Sequence, residues 1–154
     1  MGDPAFAVRA VSGESDWEAA RSIRTVVFIE EQQCTPSEEW DGLDDTSRHL
    51  LGWLGNTPIG VARWRTVSHE GRVVAKLERF AILKEYRGRG FGRELVVRTM
   101  NDALLAGFSD YIVHAQTYLA DLYADLGFER IGETFVEADL PHVRMVFRGA
   151  GAAS

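Results

Sequence analysis

The sequence predicts an α/β domain organised around a mixed sheet. Three observations carry this expectation. From His49 to Leu83, three apolar segments rich in β-branched residues follow one another across short turns, as sequential strands do. Beyond Leu83, helical and strand periods alternate, the mark of crossover connections. And 154 residues, 45% hydrophobic and 26% charged, suit one domain with a real core.

The elements follow in order. Phe6 to Val11 alternates as a first strand. Ser15 or Asp16 can cap a helix whose apolar residues Trp17, Ala20, Ile23 and Val27 recur at three- and four-residue steps. Gln32 to Asp45 is polar and acidic, a loop or a short helix. His49–Leu54 and Ile59–Val67 read as strands about an Asn56-Thr57-Pro58 turn, and Val73–Leu83 as a third, with Gly71 in the turn before it. A glycine-rich loop then opens a helix with Phe91, Leu95, Met100, Ala103 and Leu104 along one side and Gly107 as its stop. Tyr111–Ala115 is a strand, and Leu119–Leu126 a short helix ended by Gly127. Phe128–Val136 and Val143–Phe147 close the sheet. There is no internal repeat and no linker, so one domain is expected over 1–154, with an ordered core over 6–148 and a frayed tail from Gly149 to Ser154.

Composition excludes several functions. No apolar run approaches the roughly 20 residues of a membrane span. Met1 to Val11 lacks the basic patch and apolar stretch of a secretory signal, so a soluble, cytoplasmic protein is expected. A net charge of −6 argues against nucleic-acid binding. The single cysteine, Cys34, has no disulfide partner and no zinc-site spacing, and His49 and His69 show no ligand spacing, so no metal is expected.

The most informative segment is Tyr86-Arg87-Gly88-Arg89-Gly90-Phe91-Gly92-Arg93, lying between a strand and a helix. Glycines let successive N–H groups close on one anion, and the helix N-terminus adds partial positive charge. Arg87, Arg89 and Arg93 add full charges, so a pyrophosphate suits the loop. The Walker spacing is absent, and Gly-x-Gly-x-x-Gly fails in both frames, meeting Arg93 from Gly88 and Leu95 from Gly90. What remains is Arg87-x-x-Gly90-x-Gly92. This resembles the coenzyme A pyrophosphate signature of the GNAT acetyltransferases. Leu77–Ile82 before the loop and Gln116 through Tyr123-Ala124-Asp125-Leu126-Gly127-Phe128 after it are similar to the family's flanking blocks. So are Phe28–Gln32 and Pro141–Met145, and the resemblance runs from about residue 8 to residue 148.

The resemblance implies a mostly antiparallel, twisted sheet of about seven strands with helices on both faces. It also implies an N-acetyltransferase with acetyl-CoA as cosubstrate, acting on a small-molecule amine or a lysine, with homodimers common among relatives. Phe80, Ala81 and Ile82 would pair with the coenzyme's pantetheine arm through main chain, Arg87 to Arg93 would hold its pyrophosphate, and Gln116 would take the place of a frequent asparagine. Its longer reach puts that contact in doubt.

Acetyl transfer needs a neutral amine, a donor for the tetrahedral oxyanion and relief for the departing thiolate. Tyr123, placed beside the sulfur by the resemblance, is the candidate donor to the thiolate. Its helical spacing with Leu119, Leu122 and Leu126 equally describes a core aromatic. Glu78, in a strand with Leu77 and Phe80 apolar, is the candidate general base if burial raises its pKa. The other reading is a strand glutamate facing solvent or paired with Arg79 or Arg63, and His114 could play the base's part. A main-chain N–H near Phe80 or Ala81 is the expected oxyanion donor. Glu30, Glu31, Glu38, Glu39, Asp41, Asp44 and Asp45 fall within sixteen residues that contain no Lys or Arg. That run is either a field attracting a protonated amine, with Trp40 among it, or a solvated loop. His142 either faces the acceptor or ends a strand. The competing function is a non-catalytic coenzyme A sensor.

Overall fold

The computed structural model describes residues 4–149, so the tail beyond Gly149 and the first three residues lie outside the described residues. One seven-stranded sheet organises the chain, in the order β1-β2-β3-β4-β5-β7-β6. The strands are β1 (Phe6–Ala10), β2 (Arg48–Leu54), β3 (Thr57–His69), β4 (Arg72–Ile82), β5 (Tyr111–Gln116), β6 (Glu129–Glu137) and β7 (Leu140–Phe147). Every pairing is antiparallel except β4 with β5. The helices are α1 (Gly13–Arg24), α2 (Pro36–Glu39), α3 (Phe91–Leu105) and α4 (Ala120–Asp125).

Alternation along the strands sorts the core onto two faces. Leu51, Val61 and Ala81 pack against Ala20, Ile23 and Val27 of α1 and its extension. Their neighbours Leu50, Ala62 and Ile82 turn the other way, onto Leu95 of α3. Farther along, Leu77, Val113, Val143 and Met145 pack with Val96 and Ala103 of α3 and with Tyr123 and Phe128. Helices therefore cover both faces.

Several boundaries shift for local reasons. α1 begins at Gly13, earlier than Ser15 or Asp16, because the Ser12 N–H bonds the Asp16 carboxylate at 3.0 Å. It then widens into a π-helical segment, Thr25–Glu31, closed by Gln32 N–H to Val27 O at 3.1 Å. Periodicity gave no sign of that widening. The β2–β3 turn sits at Gly55-Asn56, and Thr57 and Pro58 already belong to β3. Leu104 is 53% exposed, so the buried stripe of α3 runs through Leu95, Val96, Thr99 and Ala103 instead. Gly149 is buried and donates its N–H to Asp110 at 2.9 Å, so it anchors the last strand where fraying was expected.

Two features of β4 position the site. It pairs with β5 only at Ala75↔Tyr111 and Lys76↔Ile112, and beyond that the two strands have no pairing. In the same stretch β4 carries a bulge, where Arg79 takes φ +59° and the register with β3 shifts between Val61 and Arg63. A non-glycine residue in that region is uncommon and strained, the kind of irregularity that re-aims side chains at functional sites.

Candidate active site

The loop after β4 is built to receive an anion. Gly88 and Gly90 hold φ of +79° and +85°, and a Cβ on either would meet nothing within 4 Å, so the space over them is open. The first helical hydrogen bond of α3 is Glu94 N–H to Gly90 O at 3.1 Å. The amides of Gly88 through Arg93 find no acceptor among the described residues. Six free donors at the start of a 15-residue helix can together accept an anion. The arginines contribute less than expected. Arg87 is spent on a bidentate pair with Glu31 at 2.6 and 2.9 Å and on the Ile82 carbonyl at 2.8 Å. Arg93 faces Asp125 at 3.3 Å, both exposed. Arg89 lies over the Phe91 ring at 4.9 Å with no carboxylate partner among the described residues.

A cleft of about 500 Å³ leads from this loop down the opening between β4 and β5, past Phe80, Ala81, Ile82, Phe91, Gly92 and Gln116. The alternation of β4 aims its backbone there. Leu83 N–H bonds Ile59 O at 2.8 Å, and Ala81, opposite Val61, faces β3 in the same phase. The main-chain groups of Phe80 and Ile82 therefore turn toward the gap. A second cleft, of about 410 Å³, opens from the other side past Glu78, His114, Glu137 and His142. Gln32, Phe80, Gln116, Leu119, Tyr123 and Leu140 line both clefts, so the two meet there.

Residues 25–148 match the family described as an Acetyltransferase (GNAT) domain. The chain belongs to the GNAT acetyltransferases. A Bacillus subtilis (strain 168) relative is 38% identical over 141 residues, 90% of this chain and 93% of its own. Another from the same strain, the uncharacterized N-acetyltransferase YjcF, is 33% identical over 134 residues, 86% of this chain and 93% of its own. Among solved structures, an acyl-CoA N-acyltransferase from Pseudomonas aeruginosa superposes with a TM-score of 0.79 at 28% identity, covering 94% of this chain and 99% of that one. Escherichia coli ElaA superposes with a TM-score of 0.81 at 25% identity, covering 94% and 100%.

This GNAT acyltransferase places Tyr123 at the junction of its clefts, 5% exposed, its ring 5.5 Å from Phe128 and 6.5 Å from Phe80. Its hydroxyl has no partner among the described residues. Burial pushes its ionisation well above the usual phenol range, so it stays protonated. Gln116 reaches across to Gln32 at 3.4 Å.

Glu78 is not the raised-pKa carboxylate that its apolar neighbours suggested. Burial pushes it up, but Arg63, Arg65 and Lys76 outweigh burial and hold it below the usual carboxylate range. Arg63 Nε is 2.7 Å away and Arg65 Nε 2.9 Å, with Arg63 Nη2 also in contact and Lys76 Nζ at 3.6 Å. Arg79, turned aside by the bulge, does not pair with Glu78; it meets Glu39 at 3.0 Å and Asp41 at 3.2 Å.

Neither reading of the acidic stretch describes it. Arg24, wholly buried, holds Glu39 at 2.6 Å and Asp44 at 2.8 Å, and Arg63 holds Asp41 at 2.8 Å and Asp44 at 3.0 Å. Glu31 is the partner of Arg87. Trp40 lies against Arg21 and Arg24 at 5.1 and 4.7 Å, a structural cation–π stack. Four of the seven carboxylates are thus paired with arginine, while Glu30, Glu38 and Asp45 are exposed, so the full negative field of the run does not follow. His142 is the third residue of β7, so it does not end a strand, and it lines the second cleft. Glu137 was missed: it ends β6 before an Ala138-Asp139 turn, and its contact with His114 spans 23 residues of sequence.

Proposed function

We propose that this acetyltransferase moves an acetyl group directly from acetyl-CoA to the primary amine of a small molecule or a lysine. The observation that carries the reading is the meeting of two clefts at Phe80, Gln116 and Tyr123, one leading to the anion cradle and the other opening separately to solvent. A thioester entering from the first side and an amine from the second need no covalent enzyme intermediate, and proximity supplies much of the acceleration.

The cradle from Gly88 to Gly92 takes the diphosphate through main-chain N–H groups, with Arg89 beside it. Arg87 serves as a brace to Glu31. The pantetheine arm lies along the unpaired edge of β4, and the Phe80 amide, turned into the gap, is the oxyanion donor. Tyr123 donates a hydrogen bond to the leaving thiolate. Moving its proton fully onto a sulfur whose pKa is near 8.5 would run uphill from so weak an acid, so the phenol stabilises the thiolate without ionising. Glu78, held ionised by three cations, fixes the floor of the acceptor cleft.

The test is thiol release from acetyl-CoA across a library of amines, with coenzyme A affinity measured by calorimetry. Turnover with at least one amine class supports the reading. Tight coenzyme binding with no turnover across all classes would instead mark a sensor.

A further inference from the structure

The second cleft is lined by a histidine whose ring a carboxylate orients. We propose that His114, held by Glu137, is the general base for the attacking amine, a refinement that rests on the acetyl-transfer reading above. His114 Nδ1 lies 3.1 Å from Glu137 Oε1. A carboxylate only accepts, so Nδ1 carries the hydrogen and the lone pair is left on Nε2. Nε2 has no partner among the described residues, and His114 lines the cleft together with Tyr123.

The ring is held in place. Phe135 meets His114 edge-on at 5.1 Å and stacks on His142 at 5.9 Å. His142 fixes its own orientation through Nδ1 to Leu140 O at 2.8 Å and places Nε2 3.9 Å from Glu137 Oε2. Glu137 therefore sits between two imidazoles, and its hydrogen bond with His114 keeps it ionised, below the usual carboxylate range. The charged groups facing His114 are Lys76 and Glu78 from β4, Glu137 from β6, and His142 and Arg144 from β7. Glu78 is already committed to Arg63 and Arg65, so of the two candidate bases the imidazole is the one with a free lone pair.

In the step itself the amine nitrogen bonds the carbonyl carbon and the C–S bond breaks with its electron pair on sulfur. The nitrogen's proton passes to His114 Nε2 and from there to solvent, so amine and thioester give amide, thiolate and a proton. His114 is the catalytic residue and Glu137 a positioning residue.

The experiment uses the full chain and the best amine from the library. His114→Gln is expected to lower kcat/KM for the amine by about 100-fold, with acetyl-CoA affinity unchanged by calorimetry. Glu137→Gln is expected to lower kcat for the amine with acetyl-CoA affinity and Tm unchanged, because the ring loses the charged acceptor that orients it. A loss of less than about threefold in kcat/KM in His114→Gln overturns the base while leaving acetyl transfer intact. Should no amine react, the ring ¹⁵N signals of His114 still decide the geometry: the Nδ1–H tautomer, lost in Glu137→Leu, sustains the dyad, and an Nε2–H tautomer refutes it.

Discussion

Replacing Tyr123 by Phe isolates one hydroxyl at the junction of the clefts. The ring contacts with Phe128 at 5.5 Å and Phe80 at 6.5 Å are kept by phenylalanine. The hydroxyl has no protein partner among the described residues, so its removal strands no donor or acceptor. Stability should therefore change by no more than about 0.5 kcal/mol. A single preorganised donor to developing negative charge is worth about 2.7–4 kcal/mol, or roughly 10²–10³ in kcat. The assay is thiol release at saturating acetyl-CoA, with Tm and coenzyme A affinity measured on the same preparation. A fall in kcat with both other quantities unchanged is expected. A loss of less than about threefold, under 1 kcal/mol of barrier, refutes the role. A kcat loss tracking a lower Tm would make Tyr123 a packing residue after all.

The remaining predictions concern the cradle and the charge network. Gly90→Val puts a β-branched side chain at φ +85°, which should cost about 1–2 kcal/mol and weaken coenzyme A binding by calorimetry. Arg63→Leu leaves Asp41, Asp44 and Glu78 short of their shared buried cation. It should destabilise by about 3–5 kcal/mol in urea titration, and a cost under about 1 kcal/mol would mean that water already screens the cluster. The same network fixes an acid sensitivity. Burial pushes Asp41, Asp44 and Glu78 up, but their arginines hold all three below the usual range. Their stabilisation is therefore complete above the unfolded values near pH 4 and is lost as pH falls through the lower folded values. The urea midpoint should drop on acidification below about pH 4, and Arg63→Leu should flatten that drop.

Much of the fold was legible because alternation and 3.6-residue periods report directly on which side of an element is buried. All seven strands fall where such patterns stood, and Gly107 and Gly127, at φ +101° and +102°, end their helices as glycine stops do. The errors share one cause: tertiary contacts that a local window cannot see. Leu104 fitted the apolar step of α3 yet faces outward. The π-helical segment Thr25–Glu31 leaves no periodic trace because Val26, Val27, Phe28 and Ile29 form one unbroken apolar run within it. In the site, Gly88 and Gly90 were legible because positive φ demands glycine. For Glu78 the pair with Arg63 was one of the readings left open and is present, whereas Arg65 and Lys76, which add to it across the β3–β4 register and along β4, left no sequence signal.

The acidic stretch shows how composition misleads about a field. Seven carboxylates without a neighbouring cation read as a negative surface because charge was counted along the chain. In the fold the countercharges arrive from α1, β3 and β4: Arg24, Arg63 and Arg79 against Glu39, Asp41 and Asp44, three against three. Burying arginines at 1% and 0% exposure stabilises nothing unless every carboxylate is present. Glu39, Asp41 and Asp44 are thus the complement of an arginine set that a sheet alone could not bury, and they fasten the α2 loop as a wall of the second cleft. It follows that neutralising Glu38, which is exposed and has no arginine side-chain partner, should alter amine KM less than neutralising Asp41, whose loss frees Arg63 and loosens the wall. Equal KM changes in Glu38→Gln and Asp41→Asn, with Tm unaltered in both, would restore the attracting field and remove the wall.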